Sequence, residues 1–333
     1  MYILGMESSC DETSAAIIEA HDGILEIKSN IVASQIETHR LYGGVVPEIA
    51  SRAHIEAVSS ITREALETAG ITLSDVGCVA VTTHPGLIGA LLVGVNFAKS
   101  LAFANNIPLV SVNHIHGHIS AAYLSHTDLK PPFLSVVVSG GHTCLYVCKG
   151  YNEFEQIGGT RDDAAGEAFD KIGRVIGMPY PGGAALDKLA HTGDKAAIKF
   201  PSPALRDSLD FSFSGIKTAA LNYINSEKQK GEEINTADLA ASYTETIVSA
   251  IVKQAEGGLK ETGLDTLVLS GGVAANSHLR AALEKMCKKH GVRFVVPPMS
   301  LCGDNGAMIA ASGYFEYEKG NLADTSTNAS ACD

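Results

Sequence analysis

Residues 133–148 read FLSVVVSGGHTCLYVC, an apolar β-branched run, a small polar turn at Ser139-Gly140-Gly141-His142-Thr143, and a second apolar run. That alternation of strand-forming and turn-forming residues is the mark of a hairpin, and Phe154 to Ile157 supplies a third strand behind it. The same sequence of events opens the chain. Tyr2 to Met6 and Ala15 to Glu19 flank the polar turn Glu7-Ser8-Ser9-Cys10-Asp11-Glu12-Thr13-Ser14, and Leu25 to Ile31 follows as a third run. Each half then carries a helical stretch and a strand that ends in small residues. In the first half, Ile49, Ala53, Ala57 and Ile61 recur at helical spacing before Cys78 to Val81 and the turn Thr82-Thr83-His84-Pro85-Gly86. In the second, Leu239, Tyr243, Ile247 and Ile251 share a helix face before Thr266 to Leu269 and Ser270-Gly271-Gly272. The chain reads as a duplication.

Two copies of a three-stranded meander with strand and helix additions predict an α/β protein of two duplicated RNase H-like domains. By analogy this is the actin, sugar-kinase and heat-shock-ATPase superfold, with an interdomain cleft. The expected lobes are 1–130 plus about 304–325, and 131–303 with an insertion at about 158–205. Residues 326–333, small and polar, are expected to form a flexible tail. A length of 333 residues and a hydrophobic content of 45% suit two such cores.

Composition excludes several classes. A net charge of -12 argues against wrapping nucleic acid by charge alone, so any RNA contact is local or shared with a partner. Seven cysteines without a CxxC pair fit reduced thiols and a cytoplasmic address better than a disulfide framework. The start, Met1 to Glu7, lacks the basic region of a signal or transit peptide. The apolar run from Leu87 to Ala104 is broken by Asn96 and Lys99, so a buried helix is expected there and no membrane insertion.

The chemistry-bearing residues lie near the turns. In Asn113-His114-Ile115-His116-Gly117-His118, His114 and His118 share a face if helical and can hold one metal; the plain alternative is two polar residues at a helix start. A zinc-protease reading needs Glu after the first His, where Ile115 stands. Asp304, after the turn Leu301-Cys302-Gly303, is the best third ligand, although aspartate at a helix start is more often its N-cap. Two histidines and a carboxylate with open positions suit Fe2+ or Zn2+. The glycines of 139–141 and 270–272 allow a phosphate to approach backbone N–H groups, or are plain turns. Asp162 to Lys171 is rich in acids that suit ribose hydroxyls or a cation, or form a solvated helix start. Met178 to Gly183 is a rigid turn with Asp187 one helical turn beyond, or a surface loop. Asp11 and Glu12 form an acidic first turn of undecided role.

Ten ordered strings across essentially the whole chain resemble the TsaD family of bacterial type. They are GMESSCDETSAA from Gly5, GGVVPEIASRAH from Gly43, HPGLIGALLVG from His84, NHIHGH from Asn113, VVSGGHT from Val137, DDAAGEAFDKIGR from Asp162, YPGG from Tyr180, FSFSGIKTA from Phe211, SGGVAAN from Ser270 and CGDNGAMIA from Cys302. The resemblance implies transfer of a threonylcarbamoyl group from threonylcarbamoyl-AMP to the N6 amine of an adenosine beside the tRNA anticodon. It implies one divalent metal per subunit, iron with zinc as alternative, held by His114, His118 and Asp304. It also implies a nucleotide moiety held by Val137, Val138, Ser139, Gly140, Gly141, Asp170, Gly183, Asp187 and Asn276. Further implied partners are tRNA, an inactive paralogue and a small ATPase (TsaB and TsaE type). Asp11 is the candidate for orienting or deprotonating the attacking amine. A small-molecule kinase of the same superfold, a chaperone-like nucleotide-binding module and a metallopeptidase are the rival readings.

Overall fold

The computed structural model describes residues 1–202, 205 and 208–332. Positions 203 and 204 of the expected insertion, and the last residue of the expected tail, lie outside them. Contacts divide the chain into two compact units, one of Met1–Pro131, Gly150–Glu153 and Pro297–Asp333, the other of Pro132–Lys149 and Phe154–Val296. The chain returns to the first unit at Pro297, close to the expected return at about 304, and a 3-10 turn at Met299–Leu301 follows with Leu301 and Cys302 buried.

The first unit is built from β1 (Tyr2–Glu7), β2 (Glu12–His21), β3 (Ile24–Ser34), α1 (Ile36–Arg40), α2 (Pro47–Ala69), β4 (Val76–His84), α3 (Ile88–Asn105), β5 (Leu109–Asn113) and α4 (His114–Ser120). Its sheet has the order β3-β2-β1-β4-β5, with β1 antiparallel to β2 and parallel to β4. The second unit contributes β6 (Phe133–Val138), β7 (Thr143–Gly150), β8 (Glu153–Gly159), α5 (Ala165–Val175), α6 (Gly182–Ala190), α7 (Ser214–Lys230), α8 (Thr236–Thr262), β9 (Thr266–Ser270), α9 (Ser277–His290) and β10 (Arg293–Val295). Its sheet runs β8-β7-β6-β9-β10, with β6 antiparallel to β7 and parallel to β9. The two orders are the same, which is the duplicated α/β fold expected. The central strands are largely apolar, as strands covered on both faces require; all six residues of β6 are buried, Ser135 among them.

Two helices qualify the periodicity reading. In α8, Leu239, Tyr243, Ile247 and Ile251 are all buried as expected. In α2 the buried face is Ala50, His54, Val58, Ile61 and Ala65, so Ala53 and Ala57 sit beside it rather than on it. The difference is His54. A pattern of apolar residues passes over this polar side chain, yet its ring spans from Thr13 Oγ1 at 2.7 Å to the Cys10 carbonyl at 3.0 Å. That bridge pins the first turn to α2. Helix α3 is long and apolar enough to cross a membrane by length and composition. Here its Ala90, Leu91, Gly94, Val95, Ala98 and Ala102 are buried, and it packs on α2 and β4.

The last helix, α10 (Gly306–Glu318), lies on β1, β2, β4 and α4. It comes close because Gly306 has no side chain: a β-carbon there would stand 2.7 Å from the Ala16 nitrogen and 2.8 Å from the Gly5 carbonyl. Gly117 does the same on α4, where a β-carbon would meet Ile309 Cδ1 at 2.7 Å. These two approaches bring the turn before α10 to the start of α4. Beyond α10 the chain runs hydrogen-bonded along the first unit: Ala323 N–H donates to Leu109 O at 2.8 Å and, within the stretch 326–333 expected to be flexible, Ser330 N–H donates to Thr83 O at 2.9 Å.

Candidate functional site

Helix α4 starts sharply because Asn113 Oδ1 accepts from the N–H groups of Ile115 at 2.7 Å and His116 at 3.2 Å. His114 and His118 then fall on one face, with ring centroids 4.6 Å apart and edge to face. Asp304 meets them from the turn before α10, its Oδ1 lying 3.2 Å from His118 Nε2 and 3.6 Å from His114 Nε2. The ligand atoms of all three lie within 4.8 Å of one another. Asp304 is not the cap of α10. Asn305 fills that place, its Oδ1 accepting from Met308 N–H at 3.0 Å, which leaves the neighbouring carboxylate to the histidines.

The donor set suits a divalent cation. His118 is 1% exposed, and neither of its ring nitrogens has a hydrogen-bond partner among the described residues. The 3.2 Å approach to Asp304 is ion-pair distance without hydrogen-bond geometry. A buried imidazole left in that condition is costly, and a metal on one nitrogen meets part of that cost. The surrounding charge points the same way. Burial first, then the negative charges of Asp304 and Asp11, push the Glu12 carboxyl up to about 9. A divalent cation among these acids relieves that repulsion.

Glu7, which the sequence reading passed over, ends β1 directly beneath this group. Its side chain is fully buried and accepts three hydrogen bonds: Ser9 N–H at 2.5 Å, Thr82 Oγ1–H at 2.7 Å and His114 Nδ1 at 3.0 Å. Burial alone would raise its carboxyl; the charge and hydrogen bond of His114, with the Thr82 hydroxyl, outweigh that and leave it below the usual range. Glu7 could have been found as an acid that continues an apolar strand. Asp11, 7% exposed, lies in the same first turn, and its backbone carbonyl accepts from Gln35 N–H at 2.9 Å.

The second unit gathers the other singled-out residues. Val137 and Val138 end β6 and are fully buried, and the turn after them closes on itself, Ser139 N–H donating to His142 O at 2.8 Å and His142 N–H to Ser139 Oγ at 3.0 Å. Helix α5 starts against this turn: Gly166 N–H donates to Ser139 O at 3.2 Å and Glu167 N–H to Gly140 O at 3.1 Å. A β-carbon on Gly140 or Gly141 would meet no protein atom within 4 Å, and neither residue has positive φ. Nothing in the protein's own packing therefore demands glycine there, and the open space leaves the backbone accessible. Asp170 Oδ1 accepts from Gly183 N–H at 2.8 Å and so fixes the turn into α6.

Asp187 is heavily engaged. Its Oδ2 accepts from Ser277 N–H at 3.1 Å and Ser277 Oγ–H at 2.9 Å, and its Oδ1 pairs with His278 Nδ1 at 2.7 Å. Burial raises the Asp187 carboxyl, but His278 and Ser277 together hold it below its usual value. Asn276 caps α9, its Oδ1 accepting from Leu279 N–H at 2.9 Å, a bond that leaves the donors of its NH2 group available to a ligand. Asp187, His191 and His278 also have ligand atoms within 4.8 Å. One nitrogen of each ring is already engaged, His278 Nδ1 by Asp187 and His191 Nε2 by Ser277 Oγ at 2.7 Å.

A family model described as TsaD, tRNA N6-adenosine threonylcarbamoyltransferase, matches residues 26–311. A tRNA N6-adenosine threonylcarbamoyltransferase of Clostridium botulinum (strain 657 / Type Ba4) is 54% identical over 328 residues, covering 98% of this chain and 96% of the relative. One from Clostridioides difficile (strain 630) is 50% identical over 327 residues with the same coverages. Among solved structures, full-length HypF in a phosphate- and nucleotide-bound form matches with a TM-score of 0.63 at 16% identity, over 100% of this chain and 47% of that one. The (R)-2-hydroxyglutaryl-CoA dehydratase component A of Acidaminococcus fermentans matches with a TM-score of 0.56 at 17% identity, over 96% of this chain and 99% of that one. These two likenesses concern the fold and agree with the actin-like ATPase superfold. The family model and the full-length relatives carry more: this chain belongs to the TsaD family of tRNA N6-adenosine threonylcarbamoyltransferases.

Proposed function

We propose that this chain transfers a threonylcarbamoyl group from threonylcarbamoyl-AMP to the N6 amine of an adenosine beside the tRNA anticodon, releasing AMP. Family membership over nearly the whole chain supports the reaction class. The observation that carries the chemistry is the convergence of His114, His118 and Asp304, with both His118 ring nitrogens buried and without hydrogen-bond partners among the described residues. Those three residues would hold one divalent metal, iron with zinc as the alternative. Such an ion supplies Lewis-acid polarisation of a donor oxygen.

The protein's own groups divide the rest of the work. Backbone N–H groups of Ser139, Gly140 and Gly141, following Val137 and Val138, support the donor's phosphate. Asp170 holds the Gly183 turn, and Asp187 and the Asn276 NH2 group orient the nucleoside. The donor is an acyl phosphate and already activated, so positioning replaces a covalent nucleophile. As the bond from N6 to the carbamoyl carbon forms, the bond from that carbon to the phosphate oxygen breaks. AMP leaves with the electron pair, and Asp11 accepts the amine proton. An anticodon-loop base is single-stranded and enters a site without a duplex being opened.

A net charge of -12 makes this chain a poor sole ligand for tRNA. Help from an inactive paralogue and a small ATPase of the TsaB and TsaE type, in the cytoplasm, completes the reading. The peptidase rival lacks its glutamate at Ile115, and the family relation favours transfer over small-molecule phosphorylation or plain nucleotide binding. AMP release that depends on unmodified tRNA tests the proposal: release with tRNA and none without it is expected, and equal release in both is hydrolysis and contradicts it.

A further inference from the structure

We infer that Glu7 is a positioning residue for His114, fixing the tautomer and rotation of that imidazole so that Nε2 is the metal-facing nitrogen. The inference rests on the metal centre described above and assigns a role to a residue outside it.

An ionised carboxylate can only accept hydrogen bonds. Glu7 Oε1 takes the Ser9 N–H, and Oε2 takes the Thr82 hydroxyl and faces His114 Nδ1 at 3.0 Å. The proton of the third contact must therefore sit on Nδ1, which leaves Nε2 as the nitrogen that can give its lone pair to a metal. Nε2 is the atom that faces Asp304. Ser9 Oγ, 3.1 Å from the same Nδ1, stands on the acceptor side of that N–H as well.

Glu7 is placed independently of the histidine it orients. Thr82 comes from β4 and Ser9 from the first turn, so two segments besides α4 hold the carboxylate, and its side chain is 0% exposed. A carboxylate behind a ligating imidazole raises the ligand's basicity as well as fixing its orientation, and loss of such a partner lowers metal affinity about 10- to 100-fold. A role confined to joining β1 to β4 would instead affect stability and leave the tautomer and metal affinity alone.

The test uses the full chain and two readouts. Nitrogen NMR of the metal-free protein with 15N-labelled histidine reports which His114 nitrogen keeps its proton as pH rises, expected to be Nδ1. Titration with Co2+, followed by its visible absorption, compares wild type with Glu7→Gln and His114→Ala. Glu7→Gln keeps the shape and an acceptor oxygen but removes the charge, and should weaken Co2+ binding about 10- to 100-fold. A His114 whose Nδ1 is bare in the wild type overturns the inference even if the variant fails to fold. So does wild-type Co2+ affinity in Glu7→Gln when His114→Ala has lost it, and in that case the metal centre itself stands. Equal binding by wild type and His114→Ala removes the metal centre and this role together.

Discussion

Asn305 caps the final helix, and Asp304 beside it keeps its carboxylate 3.2 Å from His118 Nε2. Two adjacent residues of near-equal capping ability have separate tasks, and the separation can be measured. Asn305→Ala should cost about 1 kcal/mol of stability by loss of the cap. Asp304→Ala should leave the stability of the metal-free protein nearly unchanged, since it removes one of several crowded acids, while abolishing metal retention. Chemical denaturation and elemental analysis of the two purified variants check this, and a reversed pattern would show Asp304 to be structural.

The phosphate-binding role of the turn after β6 predicts a second contrast. Gly140→Ala and Gly141→Ala add a methyl group where no protein atom lies within 4 Å, so stability should change by less than about 1 kcal/mol. Nucleotide affinity should nevertheless fall at least several-fold. Gly166→Ala places a β-carbon 2.5 Å from Ser139 O and should destabilise by about 1–3 kcal/mol. Thermal unfolding with and without AMP separates these effects.

Acid stability should depend on Asp163. Burial raises its carboxyl, but hydrogen bonds from Lys217, Ser214 and Lys171 outweigh that and hold it down to about 2, against 3.8 for the free group. With the folded value the lower one, these contacts stabilise fully above about pH 4 and are lost as pH falls toward 2. Asp163→Asn should be less stable than wild type at neutral pH, and the gap should close across that window. A gap independent of pH would mean that the carboxylate charge is not responsible.

Much of this architecture is legible in the amino-acid order because strands and turns write themselves locally. The runs around 139–143 and 7–14 show the duplication without any knowledge of contacts, and the two sheets carry it out with the same strand order. Two features escape such reading for physical reasons. His54 is polar and buried together, its cost met by Thr13 and the Cys10 carbonyl, partners 41 and 44 residues away in sequence. Asp304 and Asn305 are interchangeable as caps until one sees which side chain turns back onto the helix. His114 and His118 could be placed on one face from spacing alone, but their partner Glu7 stands 107 residues from His114, joined to it only by the pairing of β1, β4 and β5.

The most direct test of the whole account is mass spectrometry of nucleosides from unmodified tRNA incubated with this chain, threonylcarbamoyl-AMP, a divalent metal and the two proposed partners. Wild type should add the threonylcarbamoyl mass to adenosine, and folded His118→Ala should do so on the order of a hundredfold more slowly or not at all. Unmodified adenosine after incubation with wild type, or equal modification by His118→Ala, would contradict it.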